Sequence, residues 1–334
     1  MTILKQPAPP LLSKLPRELP TLVLILLLGV WMLFAVPASR DWGNVMAVGQ
    51  SAAFIGLLAC GEGLVIMAGG LDLSVGATLA LSGCVAAMLL VNGVPTPIGI
   101  LAGLGAGGIA GLLNGGLITD RLPIPLPEKL RDFLKLKRQN SPRPPILTTL
   151  ATLLLFRYGV SILTQSKSYN ALPTSFYDLG QGIIPIALFV AVVGGLVFVT
   201  LKMQFGRWLF AVGGGEQASN LSGVPTDRVK QICYLLAGLS AGLMGVVSTA
   251  FNNHAQWDIG KGAELDAIAA CVVGGVRITG GEGSVLGIAY GAVLIALLQN
   301  ALVLAGRPKE QYGLFTGGVI LAAAIFEQWR SRRK

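Results

Sequence analysis

Stretches of nearly continuous apolar residues, separated by short polar or glycine-rich breaks, recur along the whole chain with no recurring polar face inside them. A helix needs about 20 such residues to cross a bilayer, and the pattern predicts ten helices. They fall near residues 20–38, 46–69, 72–92, 96–119, 146–164, 182–201, 230–251, 264–276, 283–305 and 311–329. The eighth is too short to cross alone. It reads as a broken or partly re-entrant segment, whose free backbone groups must face protein or water. The first run follows a proline-rich basic start and lacks a small-residue cleavage site, so a retained helix is expected. The expected fold class is therefore all-α: a polytopic membrane protein of about ten transmembrane helices with broken or re-entrant segments. Its expected parts are a cytoplasmic tail over 1–19, a transmembrane domain over 20–329 with loops at 120–145 and 202–229, and a basic cytoplasmic C-terminus over 330–334.

Composition agrees with that solvent. The 334 residues are 53% hydrophobic and only 12% charged, about half the charged fraction usual in soluble domains. The charge also orients the chain. With the N-terminus in the cytoplasm, most of the 25 Lys and Arg collect on the inner side, including seven between 121 and 143, Lys202, Arg207, Arg228, Lys230 and the C-terminal cluster. The outer side receives Arg40, Lys167, Lys261, Arg307 and Lys309. This is the positive-inside bias, and it places both termini in the cytoplasm. It also accounts for the net charge of +9 through cationic loops at an anionic membrane lipid surface, with no nucleic-acid partner implied.

Several chemistries are excluded as leading readings. Cys60, Cys84, Cys233 and Cys271 lie in or beside apolar runs and form neither a CxxC pair nor a metal set. The single histidine, His254, has no second ligand nearby in FNNHAQWD, so neither a zinc site nor a hydrolytic triad is in view. The nearest approach to a phosphate-binding loop, the Gly-Lys-Gly of 260–262, lacks the upstream glycine and the magnesium-binding hydroxyl. The chain is expected to be no enzyme and to bind no cofactor. Any ATP would be bound by a partner subunit.

Forty-five glycines, many inside the spans (103–116, 237–246, 290–299), predict closely packed membrane helices. Residues 60–90 and 268–298 each run apolar, then glycine-rich, then apolar, which suggests an internal repeat of the kind transporters use. Within the first of these, Asp72 and Ser74 follow a Gly-Gly break and precede a new apolar run. There they suit the capping of a helix start, where orphan N–H groups and the dipole favour oxygen acceptors. A role in a gate or in substrate passage stands beside that reading. Glu62 is the strongest pathway candidate, because a charge near the bilayer centre costs about 2.5–3.5 kcal/mol on insertion scales and must face protein or water. Arg157, in the fifth span, follows the same logic and is a candidate partner for Glu62. Asn114, Thr148, Thr149 and Gln299 add neutral hydrogen-bonding groups that suit a hydroxylated solute or serve equally as helix–helix glue.

GGLDLSVGATLALSG at 69–83 resembles the signature of the permease subunits of ribose-type monosaccharide ABC importers. The resemblance continues in order through ILTTLATLLLFRYGVSILTQ at 146–165, GRWLFAVGGGEQASNLSGV at 206–224, ELDAIAACVVGG at 264–275 and GGEGSVLG at 280–287. It covers roughly residues 46–329. It implies an inner-membrane permease of a bacterium or archaeon that passes a sugar or sugar-like solute and works as a homo- or heterodimer. The implied partners are a cytoplasmic ABC ATPase subunit, an extracytoplasmic solute-binding protein and a second permease subunit. It further implies that Glu216, Gln217, Ala218, Ser219, Asn220, Leu221, Ser222 and Gly223 form the segment that docks on the ATPase, with Gln217, Ala218, Leu221 and Ser222 at the contact. Two departures stand out. The connection over 120–145 is longer than usual and basic, with Leu126, Leu130, Phe133, Leu134 and Lys137 at the spacing of an amphipathic helix. Gly215 stands where the family commonly has Asn. The competing class is an ion-coupled secondary transporter, with Glu62, Asp72 and Asp266 as a proton relay.

Overall fold

A computed structural model of the chain describes residues 18–121, 144–308 and 311–331. The amphipathic helix expected within 120–145 lies outside them, as do most of residues 1–19 and the last three of the C-terminus. Each of the ten expected spans is met by a helix. We number these, with the shorter helices between them, α1 (Leu19–Ala35), α2 (Trp42–Met67), α3 (Val75–Val91), α4 (Thr96–Ile118), α5 (Pro145–Leu163), α6 (Thr174–Tyr177), α7 (Ile184–Lys202), α8 (Gln204–Gly214), α9 (Glu216–Leu221), α10 (Thr226–Asn252), α11 (Ala263–Val273), α12 (Val285–Leu304) and α13 (Tyr312–Ser331). Two two-residue strands, β1 (Tyr169–Asn170) and β2 (His254–Ala255), pair antiparallel and link the α5–α6 connection to the end of α10. Among the described residues six helices, α2, α4, α5, α7, α10 and α12, are long and apolar enough to cross a membrane, so the protein is an all-α polytopic membrane protein.

α2 and α10 form the core. Both are predominantly apolar and largely buried, whereas α5 and α7 expose most of their apolar surface at the periphery, as lipid-facing helices do. α4 packs antiparallel on α10 through glycines four residues apart. Gly103, Gly107, Gly111 and Gly115 meet Val246, Gly242, Gly238 and Gln231 in turn. A Cβ at Gly107 would run into the Gly238 carbonyl and one at Gly111 into the Tyr234 carbonyl, so the two backbones touch and gain dispersion contact that larger side chains would forbid. The glycine-rich runs of 103–116 and 237–246 are thus the two halves of one interface.

Two interruptions shape the centre. Between α2 and α3 the chain turns over Ala68–Ser74, with Gly69 at φ +80°, and between α11 and α12 it turns over Gly274–Ser284. α11 is only 11 residues long, matching the short eighth segment expected from sequence. The two turns meet. The Gly281 N–H donates to the Met67 carbonyl at 3.0 Å, and a Cβ on Gly280 would lie 2.8 Å from the Gly69 Cα. The last turn of α8 closes the same junction: side-chain atoms on Gly213 would collide with the Met67 carbonyl and the Gly281 backbone. α1 is tied to the second turn from outside, through Thr21 Oγ1 to the Val273 carbonyl at 2.6 Å and Ser284 Oγ to Glu18 Oε1 at 2.6 Å.

Candidate functional site

Four of the candidate residues come together in the interior. Glu62, from the last two turns of α2, accepts a hydrogen bond at Oε1 from the Asp72 N–H at 3.0 Å. Asp72 Oδ1 accepts from the Ser74 N–H at 2.9 Å and from Ser74 Oγ at 2.7 Å. From α4, Asn114 Nδ2 donates to both Asp72 oxygens, at 3.3 and 3.2 Å, and to Ser74 Oγ at 2.7 Å. All four residues are buried, Glu62, Ser74 and Asn114 completely. The Leu71 carbonyl beside them accepts from Thr149 Oγ1 of α5 at 3.2 Å and from the Tyr234 hydroxyl of α10 at 3.3 Å. The interrupted backbone between α2 and α3 is therefore held by side chains of four different helices. Glu62 Oε2 and Asn114 Oδ1 are buried with no hydrogen-bond partner.

This arrangement changes the local reading of Asp72. Ser74 stands at the N-cap of α3 without a side-chain bond to the first turn. The Asp72 carboxylate spends its bonds on Ser74 and Asn114, so it joins the turn to α4 and does not cap the helix. Arg157 is not the partner of Glu62. Its Nη1 donates to the backbone carbonyls of Trp257 at 3.1 Å and Ile259 at 2.6 Å. A guanidinium satisfies carbonyls of the irregular stretch between β2 and α11, which forms turns but no continuous helical ladder, and that need keeps the charge away from Glu62. Gln299 binds Asp266 Oδ2 at 3.1 Å, and Thr316 binds Asp266 Oδ1 at 3.1 Å. Asp266 thus belongs to a separate link between α11, α12 and α13, and the three carboxylates do not form one bonded relay. Among the described residues Thr148 bonds only the Pro144 carbonyl of its own helix start; the hub takes Thr149 instead.

A second region lies at the end of the bundle where α8, α9 and the start of α10 meet. Glu216–Leu221 form α9, a single short helix closed by Ser222 and by Gly223 at φ +82°. Ser219 is buried against the bundle, while Gln217, Ala218, Asn220, Leu221, Ser222 and Gly223 are exposed. Leu221 is 91% exposed. Glu216 pairs with Lys230 Nζ of α10, the lysine itself being buried, and Arg121 Nε pairs with Asp227 at 2.9 Å. The start of α9 is therefore fixed to α10 and its far end projects. Beside it lies a shallow cavity of about 270 Å³ lined by Ala211, Gly214, Gly215, Ala218, Ser219, Ser222 and Val224. Gly215 has φ 174°, extended backbone that any residue adopts, so Gly in place of Asn leaves the turn unchanged. α8, which sequence reading left inside a connecting loop, runs from the end of α7 to α9 and delivers Gly213 into the glycine junction described above.

No group of three or more His, Cys, Asp or Glu side chains suited to a metal ion occurs among the described residues. A helical bundle with interrupted membrane helices, a buried polar hub at one interruption and a projecting short helix at one end is the architecture of a transport permease. Residues 44–324 match the family described as branched-chain amino acid transport system / permease component, and the chain belongs to that family. Relatives include the ribose import permease protein of Bacillus subtilis, 34% identical over 86% of this chain and 85% of its own length. Others are the L-arabinose ABC transporter permease protein of Azospirillum brasilense, 31% identical over 93% and 88% of the two chains, and an autoinducer 2 import system permease protein of Photorhabdus luminescens, 32% identical over 85% and 81%. No solved structure matches.

Proposed function

We propose that this chain is the membrane-spanning permease subunit of an ABC importer for a sugar or sugar-like solute. It would work as a homo- or heterodimer in a bacterial or archaeal inner membrane, with both termini in the cytoplasm. The family match and the full-length relatives, whose names specify ribose, arabinose and autoinducer 2, support the permease role and the solute class. One observation in this chain carries the assignment of its working end. Leu221 is a large apolar side chain almost wholly exposed on a short helix at a bundle end rich in charged residues. Exposed apolar surface rimmed by polar groups marks a site covered by another protein. In this reading residues 216–223 dock on a cytoplasmic ATPase, which alone binds ATP, and the chain performs no covalent chemistry. The opposite end, which carries the β1–β2 pair, receives solute from an extracytoplasmic binding protein. ATPase closure pulls α9 and α8, α8 moves the glycine junction, and the junction shifts the α2–α3 and α11–α12 turns that flank the hub.

The test is purification of the tagged chain from its native host in mild detergent, with and without Leu221→Asp. Recovery of an ATPase subunit with the unaltered chain, and about a tenfold or greater loss of it with the variant, is expected from burying a charge at an apolar contact centre. Equal recovery from both would remove α9 as the docking element.

A further inference from the structure

Residues 256–262, which the charge distribution assigns to the outer side through Lys261, cross from β2 to α11 without regular structure and dip back to the level of the α3 start. Gly260 packs on the start of α3, where a Cβ would lie 2.9 Å from the Gly76 carbonyl and 3.1 Å from Leu79 Cδ2. Leu79 in turn abuts Gly245, which lies seven residues, or about 10 Å, below the end of α10. Irregular backbone at that depth is tolerated only where it is buried in protein or lines a water-filled space. Here it is partly open: Gln256, Trp257, Asp258, Ile259 and Gly260 are each half-buried, and Lys261 is exposed. Charged side chains on an open face within the hydrocarbon layer point to water rather than to lipid.

The open face has a particular chemistry. Trp257 lies against Tyr158 of α5, ring centroids 6.2 Å apart and tilted by 31°, and Tyr158 is 57% exposed. Lys261 Nζ sits 4.5 Å from the centre of the Trp257 ring, and its other partner is Asp258 at 3.8 Å. Arg157, next to Tyr158 in sequence, holds the Trp257 and Ile259 carbonyls and so fixes the indole in place. Two aromatic faces flanked by an ammonium and a carboxylate match a monosaccharide, which offers an apolar C–H face to a ring and hydroxyls to charged groups around it. We propose that Trp257 and Tyr158, with Asp258 and Lys261, form a sugar subsite on a water-filled pathway through the membrane layer, an inference that rests on the importer reading above. Lys261 Nζ lies over the indole face that a sugar ring would use. As a sugar ring takes that place the ammonium leaves the indole but keeps its pairing with Asp258, and the shallow, open platform keeps binding weak enough for onward release, as passage requires.

Two experiments test this separately from the importer reading. The four native cysteines are buried, so single Lys261→Cys, Tyr158→Cys and Val190→Cys variants are treated with a charged, membrane-impermeant thiol reagent in sealed vesicles. Labelling at 261 and 158 is expected, with Val190→Cys, an exposed apolar position of α7, remaining unlabelled. Lack of labelling at 261 and 158 would overturn the pathway. Second, the assembled complex with its ATPase and binding protein is reconstituted, and ATP-driven uptake of radiolabelled ribose and arabinose is measured. Trp257→Ala is expected to slow uptake about tenfold while Trp257→Phe, which keeps a stacking face, stays within about threefold. Should Trp257→Ala fail to reach the membrane, Tyr158→Leu on the exposed face replaces it, with the same slowing expected. Uptake at the unaltered rate in these variants would overturn the subsite. If the unaltered complex moves neither sugar, the sugar reading itself falls, and the labelling result alone decides whether the face is watered.

Discussion

Glu62 shows how a single side chain acquires its meaning from contacts far along the chain. Its Oε1 serves one donor, the Asp72 N–H at 3.0 Å, while Oε2 is buried without a partner. Glu62→Gln keeps an amide oxygen for that N–H, so the apparent Tm of the purified complex is expected to hold. Glu62→Leu strands the donor and should destabilise by about 1–3 kcal/mol, the cost of an unmade buried hydrogen bond. A thermal-unfolding comparison of the two variants checks this, and an equal loss for both would show that the second oxygen matters as much as the first. That Glu62 must face protein was legible from one charge inside an apolar run. That its neighbour is a turn three residues from a helix start, and not Arg157, was not legible. Arg157 and the carbonyls it serves are separated by about a hundred positions, and periodicity says nothing about such a pairing. The same blindness applies to Thr148 and Thr149: adjacent hydroxyls, of which only the second reaches the Leu71 carbonyl.

Helices and their interruptions carry the next level. The sequence pattern located the ten long or broken segments because length and apolarity are local properties. It also marked the short eighth one, now α11 with 11 residues. The irregular stretch before it is held by Arg157, and its stability is therefore conditional on that side chain. In Arg157→Met two carbonyls at membrane depth lose their donors, so faster amide hydrogen exchange confined to residues 253–262 is expected, with Arg157→Lys restoring part of the protection. Exchange unchanged across that stretch would show that neighbouring backbone alone supports it. Over 202–229 the sequence pattern reads as a loop whose EQASNLSG core can make one short helix; the structure has that helix, α9, and a second one before it, α8. The apolar face of α8 (Leu209 and Val212 are buried) is amphipathic and short, and beside the long apolar spans such a segment passes for a connection.

At the scale of the whole molecule, the junction of Met67, Gly69, Gly213, Gly214, Gly280 and Gly281 joins the two central turns to α8. Interiors this closely packed transmit displacement, because no free volume absorbs it. Gly213→Ala would press a methyl group into backbone on both sides. The expected outcome is a chain that still inserts and still recovers its ATPase but loses solute uptake by a larger factor than ATP hydrolysis. The ratio of the two rates in reconstituted vesicles measures this, and proportional losses would mean the junction only supports the fold. The sequence by itself determined the solvent, the order of the apolar segments, the all-α class and the family resemblance. Each of these rests on composition and runs of adjacent residues. Tertiary structure alone decided which glycines pack against which, that Glu62, Asp72, Ser74 and Asn114 form one hub while Asp266 and Arg157 belong elsewhere, and that Trp257 meets Tyr158. Those pairings arise where interrupted helices cross, and crossing points depend on the packing of the entire bundle.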